Sequence, residues 1–164
     1  MRLDGILSQV DDYPYNRVEI TGGEPLFQEE TIQLISQLLE KEYKVLLETN
    51  GSQLLEKIPQ SVVKIVDIKT PGSGESESFR KENLTYINGK DNLKFVLTDE
   101  DDFDWSKQFI EKFNLNSKCE ILFSAVREKL DYTELGEWIL ESELDVRFQP
   151  QLHKIIWPNQ YKGV

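Results

Sequence analysis

The chain has a single cysteine, few basic residues and no long apolar run, and each scarcity excludes a class of protein. One cysteine, Cys119, cannot close an intrachain disulfide, which agrees with a reducing, cytoplasmic location. Asp and Glu outnumber Lys and Arg by 30 to 19, and the net charge of −11 argues against a nucleic-acid partner, because phosphate backbones select basic faces. No run reaches the roughly 18 apolar residues of a membrane span, and no signal peptide is evident, so no membrane partner is expected.

What the sequence does contain is enough apolar material for one buried core. Hydrophobic residues make up 38% of the 164 residues, and three are tryptophan. No internal repeat or low-complexity tract divides the chain, so residues 1–164 are expected to form a single domain.

Short apolar or β-branched runs alternate with helical patterns, which is typical of parallel strands joined by crossover helices. The runs predict strands over residues 18–21, 44–48, 62–68, 93–97, 119–124 and 146–149. The periodicity predicts helices over 28–41, from Asp104 or Ser106 onward, and over 133–141. Residues 71–90 are rich in Gly, Ser and Asn, so no full crossover helix is expected there. We place this segment over the mouth of the sheet.

The segment Thr21-Gly22-Gly23-Glu24-Pro25 follows the first predicted strand. Parallel sheets bind ligands beyond the carboxyl ends of their strands. Glycines there allow a ligand to approach the backbone, and the Glu24 carboxylate could accept hydrogen bonds from an ammonium group. The alternative is a tight strand-to-helix turn with an exposed acid.

Two further polar turns follow the next two strands. Glu48 and Asn50 lie in the first of them, and Lys69 and Ser73 lie in the second. Each turn alone is ordinary, since Asn-Gly is common turn chemistry and a lysine is a common surface residue. Together they should line one edge of the sheet, where a ligand with an amine, a carboxylate, a ribose and an adenine would find several partners.

The remaining candidates lie late in the chain. Gln151, His153 and Lys154 come just past the last predicted strand, so they could form the polar end of a substrate pocket. A structural role for the sole histidine is the alternative. Cys119 lies at a strand start, on the edge opposite the site, and is expected to be a buried, small apolar residue without a catalytic role.

Several segments together resemble the 7-carboxy-7-deazaguanine synthase family of radical S-adenosylmethionine enzymes, from about Val18 to the end. These segments are TGGEPL, ETNGS, DIKTPGSGES, DNLKFVL, FSAV and QPQLHKIIWP, with Gly163-Val164 at the end. The resemblance implies an α/β fold, a partial, open (β/α) TIM-like barrel with a mainly parallel sheet of about six strands and reduced crossover helices.

The resemblance also implies a reaction. In that family, S-adenosylmethionine bound to a 4Fe-4S cluster is cleaved reductively to methionine and a 5′-deoxyadenosyl radical. The radical abstracts hydrogen from 6-carboxy-5,6,7,8-tetrahydropterin, and magnesium assists a ring contraction that expels ammonia and gives 7-carboxy-7-deazaguanine for queuosine biosynthesis. By position, Gly22, Gly23 and Glu24 would hold the methionyl amine. The other implied site residues are Glu48, Asn50, Lys69, Ser73 and Ser124 toward the cofactor, and Gln151 and His153 toward the substrate.

The family holds its cluster by a CxxxCxxC loop, because the cluster needs thiolate ligands, and the 164 residues contain no such triplet. The resemblance places the family's first strand, its cysteine loop and a magnesium-binding threonine ahead of Met1, with residues 1–10 as the tail of the following helix. We therefore expect no cluster or magnesium ligands in this chain and no activity from it unaided. The chain would be either an amino-terminally shortened product or a natural relic.

Two other functions compete with this interpretation. An activating enzyme for a glycyl-radical protein or ribonucleotide reductase also carries GGEP, but it does not explain QLHK. A non-catalytic binding module could keep the sheet and borrow a cluster, or none, from a partner chain. Loss of a strand exposes a sheet edge, so the sequence also allows a homodimer.

Overall fold

Strands and helices alternate along the polypeptide in the computed structural model, which describes residues 3–157 apart from the side chain of His153. The strands are β1 Arg17–Ile20, β2 Lys44–Thr49, β3 Val63–Ile68, β4 Asn92–Leu97, β5 Glu120–Ala125 and β6 Arg147–Phe148. The α-helices are α1 Leu3–Asp11, α2 Thr31–Glu40, α3 Glu100–Phe113, α4 Tyr132–Ser142 and α5 Leu152–Ile156. Within residues 3–157, no helix is long and apolar enough to cross a membrane.

All six strands pair in parallel and in chain order, from β1 at one edge to β6 at the other. No pairing in the described range joins β1 to β6, so the sheet stays open. Parallel neighbours end at the same edge of a sheet, which we call the carboxyl edge. The turns after β1, β2 and β3 therefore meet there, as the sequence predicts.

Alternation along β2, β3 and β4 gives one buried, largely apolar face and one partly exposed face. One face packs on the helices, where Leu47, Val66 and Phe95 are fully buried against α2 and α3 residues such as Ile35. The intervening positions form the other face, which we call the open face, and there the sheet carries charged side chains, namely Glu48, Asp67 and Lys94. Burial on the helix side of these strands thus leaves the three charged side chains together on the opposite face.

Two predicted helix starts are wrong. The helix expected from residue 28 begins at Thr31, because Pro25–Phe27 forms a 3₁₀ turn and Thr31 donates a 2.6 Å hydrogen bond to its first carbonyl. The helix expected from Asp104 or Ser106 begins at Glu100, because the Asp99 side chain caps it by accepting from the backbone N–H of Asp102.

The segment from 71 to 90 contains no α-helix, as predicted, and forms only two 3₁₀ turns, Pro71–Ser73 and Lys81–Thr85. Buried Asn83 fastens it to the turn after β2. The Asn83 amide nitrogen donates to the carbonyls of Gly51 and Gln53, both at 2.9 Å, and its oxygen accepts from the N–H of Leu55. The segment therefore lies beside the carboxyl end of β2.

Cys119 directly precedes β5 and is only 8% exposed, which agrees with its predicted role as a small buried residue. Burial raises the pKa of its thiol to about 11. At neutral pH the side chain is therefore a neutral thiol packed in the core.

A buried ion pair lies near the amino ends of β3 and β4. Lys64 Nζ and Asp91 Oδ2 are 2.9 Å apart, and both side chains are almost fully buried. The Asp91 carboxylate also accepts from the backbone N–H groups of Lys64 and Asn88, at 2.8 and 2.9 Å. The pair thus fixes the 88–91 turn to the start of β3.

We predict that Asp91→Ala lowers the free energy of unfolding by about 3–5 kcal/mol, because it leaves the Lys64 ammonium buried without a counter-charge. Urea unfolding followed by circular dichroism measures the loss. Asp11→Ala is the matched control, since the Asp11–Lys41 pair is on the surface and should matter far less. Equal losses in the two variants would contradict the assignment.

Candidate functional site

Three polar turns meet at the carboxyl edge and enclose a cavity of about 220 Å³, which we call the site cavity. It is lined by Thr21, Gly22, Gly23, Glu48, Thr49, Asn50, Asp67 and Lys69. Of the predicted site residues, the structure thus brings together Gly22, Gly23, Glu48, Asn50 and Lys69. The parallel register causes this, because it sets Ile20 beside Leu47, and Glu48 beside Ile65, so that the strand ends lie in a row.

Gly22 and Gly23 form the mouth of the site cavity with backbone in the left-handed region, at φ 103° and φ 60°. A Cβ added at either position would meet nothing within 4 Å. Their requirement for glycine is therefore conformational, and the space beside them is open to a ligand. The backbone itself is the surface that this turn presents.

The Glu24 carboxylate is buried behind that turn rather than lining the cavity, and its side chain joins the ends of β1 and β2. It accepts hydrogen bonds from the Thr49 hydroxyl at 2.8 Å, the Asn50 N–H at 2.8 Å and the Leu26 N–H at 3.0 Å. Glu24 is 8% exposed, so the exposed-acid alternative is wrong. The predicted contact with a ligand's ammonium group stays a prediction, whereas the contacts that shape the turn are present in the structure.

Glu48 supplies a charged wall of the site cavity and uses both of its oxygens. Oε1 lies 2.6 Å from Lys94 Nζ, and Oε2 accepts a 3.1 Å hydrogen bond from the Thr21 hydroxyl. Burial raises the pKa of this carboxyl, but the hydrogen bond and charge of Lys94, the Thr21 hydroxyl and the charge of Lys69 outweigh it, and the net shift is downward. Glu48 is accordingly a carboxylate at neutral pH.

A second ion pair lies beside Glu48, between Asp67 of β3 and Lys69 directly after that strand. Lys69 Nζ and Asp67 Oδ2 are 2.8 Å apart, and the Lys69 side chain is 33% exposed at the cavity. Asp67 Oδ1 is buried without a partner in the described part of the chain. The site cavity therefore has carboxylates and ammonium groups side by side, which suits a ligand that carries charges of both signs.

Ser73 lies in the 3₁₀ turn after β3 and does not line the site cavity. Its hydroxyl donates to the Thr70 carbonyl at 2.6 Å. The turn is held from below by buried Asp102, whose carboxylate accepts from the Gly72 N–H at 2.7 Å and from the N–H and hydroxyl of Thr98 at 2.9 and 2.8 Å. Asp102 thereby joins the turn after β3 to the start of α3.

Of the later predicted residues, Ser124 and Gln151 do not line this cavity. Ser124 is buried in β5, paired with Val96 of β4. The Gln151 N–H donates to the Tyr132 hydroxyl at 3.2 Å. His153 belongs to α5, and its side chain lies outside the described part of the structure. Their roles toward a ligand stay predictions.

Sequence reasoning missed the contribution of Lys94. The signal for it is a lysine in the middle of the apolar strand β4, with fully buried Leu93 and Phe95 on either side. Alternation then puts its side chain on the open face with Glu48. Thr21 and Asp67 belong to motifs that the sequence singles out, but their separate contacts with Glu48 and Lys69 are visible only in three dimensions.

Within residues 3–157, no group of three or more His, Cys, Asp or Glu side chains is arranged to hold a metal ion.

A cavity of about 670 Å³ lies between residues 76–82 and α3, lined in part by Phe79, Trp105 and Phe109. It contains none of the predicted site residues and lies on the helix side of the sheet, so the smaller site cavity is the candidate.

Comparison with known proteins places the chain among enzymes of one name. It is 41% identical to the 7-carboxy-7-deazaguanine synthase of Koribacter versatilis, over 100% of this chain and 79% of that protein. It is 38% identical to the synthase of Chlorobaculum tepidum, over 100% of this chain and 76% of that protein. No family sequence profile matches the chain.

Solved structures share the fold at low sequence identity. QueE from Escherichia coli aligns with a TM-score of 0.71 and 16% identity, over 92% of this chain and 64% of that one. Streptococcus suis SuiB bound to S-adenosylmethionine aligns with a TM-score of 0.58 and 16% identity, over 96% of this chain and 44% of that one. The predicted fold class, a partial, open α/β barrel with a mainly parallel sheet, is confirmed. On the strength of the sequence identities, the chain belongs to the 7-carboxy-7-deazaguanine synthase family.

We predict that Glu24→Gln lowers the free energy of unfolding by about 1–3 kcal/mol, because the new amide nitrogen cannot accept the bonds that one carboxylate oxygen accepts. Faster hydrogen exchange at the Asn50 N–H should accompany the loss, and NMR measures both. Glu29→Gln, at an exposed position nearby, is the control and should change neither. Unchanged Asn50 exchange in Glu24→Gln would remove the proposed link between the two turns.

We predict that Asp102→Asn costs about 1–3 kcal/mol at neutral pH. Burial raises the Asp102 pKa, but hydrogen bonds from Gly72, Thr98 and Thr70 lower it more, so the folded-state pKa lies below the ordinary 3.8. A lowered folded-state pKa gives stability that is complete above the unfolded pKa and is lost as the pH falls through the folded one. The difference between wild type and variant should therefore shrink below about pH 4 in urea unfolding series. Asp101→Asn, at the exposed neighbouring position, should show no such pH dependence.

Proposed function

We propose that the chain provides the cofactor- and substrate-binding part of a radical S-adenosylmethionine lyase that makes 7-carboxy-7-deazaguanine from 6-carboxy-5,6,7,8-tetrahydropterin. The observation that carries the proposal is the site cavity, where the TGGEP, ETNGS and DIKTP turns meet in a member of this family. The product would enter queuosine and related 7-deazapurine biosynthesis. Family membership favours this function over the activating-enzyme alternative, which shares only the first of these turns.

The donor and acceptor groups of the site cavity suit the methionyl end of S-adenosylmethionine. The turn at Gly22 and Gly23 offers carbonyl groups to an ammonium, and Lys69 offers a charge to a carboxylate. The cavity volume of about 220 Å³ is smaller than a typical pocket for a whole ligand of that size. We infer that the cavity holds one end of the cofactor and that its adenosine extends along the carboxyl edge. Similarity to the fold of SuiB, whose structure contains S-adenosylmethionine, supports this choice of cofactor.

When bound and reductively cleaved, S-adenosylmethionine supplies the 5′-deoxyadenosyl radical that begins the reaction. The chain's own residues bind and orient. Glu24 holds the Gly22–Gly23 turn in place through Thr49 and Asn50, and Asp102 holds the turn after β3 through Gly72. The pterin would lie over the open face, with magnesium expected from the family.

The 164 residues do not fit a 4Fe-4S cluster. Such a cluster needs several thiolates, whereas the one cysteine is a buried thiol whose pKa is raised to about 11. Cys119 also precedes a strand, which puts it at the opposite edge of the sheet from the site cavity. We propose that the cluster's thiolates come from polypeptide other than these 164 residues, and that these residues alone do not cleave the cofactor.

We predict that the 164-residue chain binds S-adenosylmethionine and that Lys69→Met weakens the binding roughly tenfold to a hundredfold, because a hydrogen bond to a charged group contributes about 1.5–3 kcal/mol. Isothermal titration calorimetry measures the affinity. Lys57→Met, at an exposed position outside the site cavity, is the matched control and should bind like wild type. Equal affinity in all three chains would remove Lys69 from the site.

Activity is tested on a chain extended ahead of Met1 by a cysteine-loop segment of the family, with its cluster reconstituted without oxygen. Mass spectrometry should then detect 7-carboxy-7-deazaguanine from the pterin. Cofactor cleavage without pterin turnover would instead favour the activating-enzyme function, and binding of neither ligand would favour a non-catalytic module.

A further inference from the structure

Lys94 is a charged residue in the middle of β4 whose side chain reaches across the sheet. Its neighbours Leu93 and Phe95 are fully buried on the helix side, so Lys94 projects from the open face, where it is 21% exposed. A strand of this composition gains nothing in packing from an ammonium group at that position. The position therefore calls for an electrostatic explanation.

The ammonium of Lys94 binds a carboxylate two strands away, although the adjacent strand also carries a carboxylate, at the position paired with Lys94. Asp67 is the residue paired with Lys94 on the adjacent strand β3, yet its Oδ2 is bound to Lys69. Lys94 Nζ instead lies 2.6 Å from Glu48 Oε1 on β2. The contact thus crosses β3 and connects the middle of the sheet to the wall of the site cavity.

We propose that Lys94 is a positioning residue for the site: together with the Thr21 hydroxyl, it fixes both oxygens of the Glu48 carboxylate at the site cavity. A fixed carboxylate there can accept hydrogen bonds from the ammonium or N–H groups of a ligand without first reorienting. The ligand named below rests on the proposed function, whereas the control of Glu48 by Lys94 does not.

The surrounding charges make Lys94 decisive. The charged groups that face Glu48 are Glu19 on β1, Asp67 on β3, Lys69 directly after β3, and Lys94 on β4. Lys69 is already paired with Asp67, so without Lys94 the Glu48 carboxylate would face two other carboxylates and one committed ammonium. Both partial burial and like charge would then favour its protonated form.

The direction of the Glu19 pKa shift agrees with the same balance of charges. Desolvation and then the charge of Glu48 raise the pKa of Glu19, although the residue remains exposed, and the charge of Lys94 opposes them. For Glu48 the bond to Lys94 is the largest influence that lowers the pKa. Lys94 therefore balances the negative charges on this face of the sheet.

The decisive measurement is the titration of the Glu48 carboxyl carbon by NMR in the 164-residue chain, with Glu48→Gln used to assign the signal. In wild type the midpoint should lie below the ordinary value of 4.5. It should move to higher pH in Lys94→Met and in Lys94→Gln, which preserves a hydrogen-bond donor without the charge. Lys94→Arg should return it toward the wild-type value. A wild-type midpoint at or above the ordinary value, or an unchanged midpoint in the neutral variants, would overturn the proposal.

Calorimetry with S-adenosylmethionine from pH 4 to pH 8 then connects the titration to binding. Wild type and Lys94→Arg should follow one pH profile, whereas the affinity of Lys94→Met should fall as the pH drops through the raised Glu48 midpoint. An affinity for S-adenosylmethionine that does not change as the pH crosses the Glu48 midpoint, in any of the variants, would overturn the role of Lys94 at the site. If the midpoint shifts as expected but no variant and no wild type binds the cofactor, the result contradicts the proposed function and leaves the control of Glu48 by Lys94 supported.

Discussion

Glu24 belongs to the turn after β1, but its carboxylate accepts hydrogen bonds from the end of β2. Its bonds to Thr49 and Asn50 fix the distance between the turns after β1 and β2. Those turns carry the glycines, the amide and the carboxylate that border the site cavity. A backbone with positive φ at Gly22 and Gly23 is conformationally free in isolation, so a buried acceptor is what holds this turn in one shape. The geometry of the site therefore depends on a side chain that does not border the site cavity.

The ion pairs at the two ends of the sheet differ in their exposure to solvent. Near the amino ends of β3 and β4, Lys64 and Asp91 form an ion pair that is buried and saturated with backbone hydrogen bonds. At the carboxyl edge, the pairs of Glu48 with Lys94 and Asp67 with Lys69 stay partly exposed and keep unused hydrogen-bonding capacity. The first arrangement fixes the fold, whereas the second leaves charges available to a ligand. Because the two are separate, the site can hold an oxygen such as Asp67 Oδ1, which has no partner among the described residues, while the buried pair stays fully bonded.

The sequence predicts the sheet well because its strands are short apolar or β-branched runs, and polar turns follow the first three of them. That pattern was enough to place Gly22, Glu48 and Lys69 at one edge. It could not show that the Glu24 side chain turns inward, because its acceptor role depends on the end of β2, which lies some 25 residues further along the chain. Lys94 was missed for the same reason, since its partner is two strands away.

Local sequence patterns do not predict the start of α3, because the roles of its first acidic residues depend on contacts made by their side chains. The sequence predicts the start of α3 at Asp104 or Ser106, whereas the helix begins at Glu100, within the acidic run from Asp99 to Asp102. In the structure Asp99 caps the helix and Asp102 turns back to bind Gly72. The assignment of His153 to a substrate pocket rests on its position past the last predicted strand and on the family resemblance, and it stays a prediction.

The chemical state of Cys119 has a practical consequence for spectroscopy. A lone thiol that is buried and held in its protonated form reacts slowly with maleimides and iodoacetamides. The native chain therefore serves as its own unlabelled background, and a cysteine introduced at an exposed position such as Glu77 would take a fluorophore or spin label selectively. Glu77 lines the larger cavity beside α3, so a dye there would report optically on that side of the sheet.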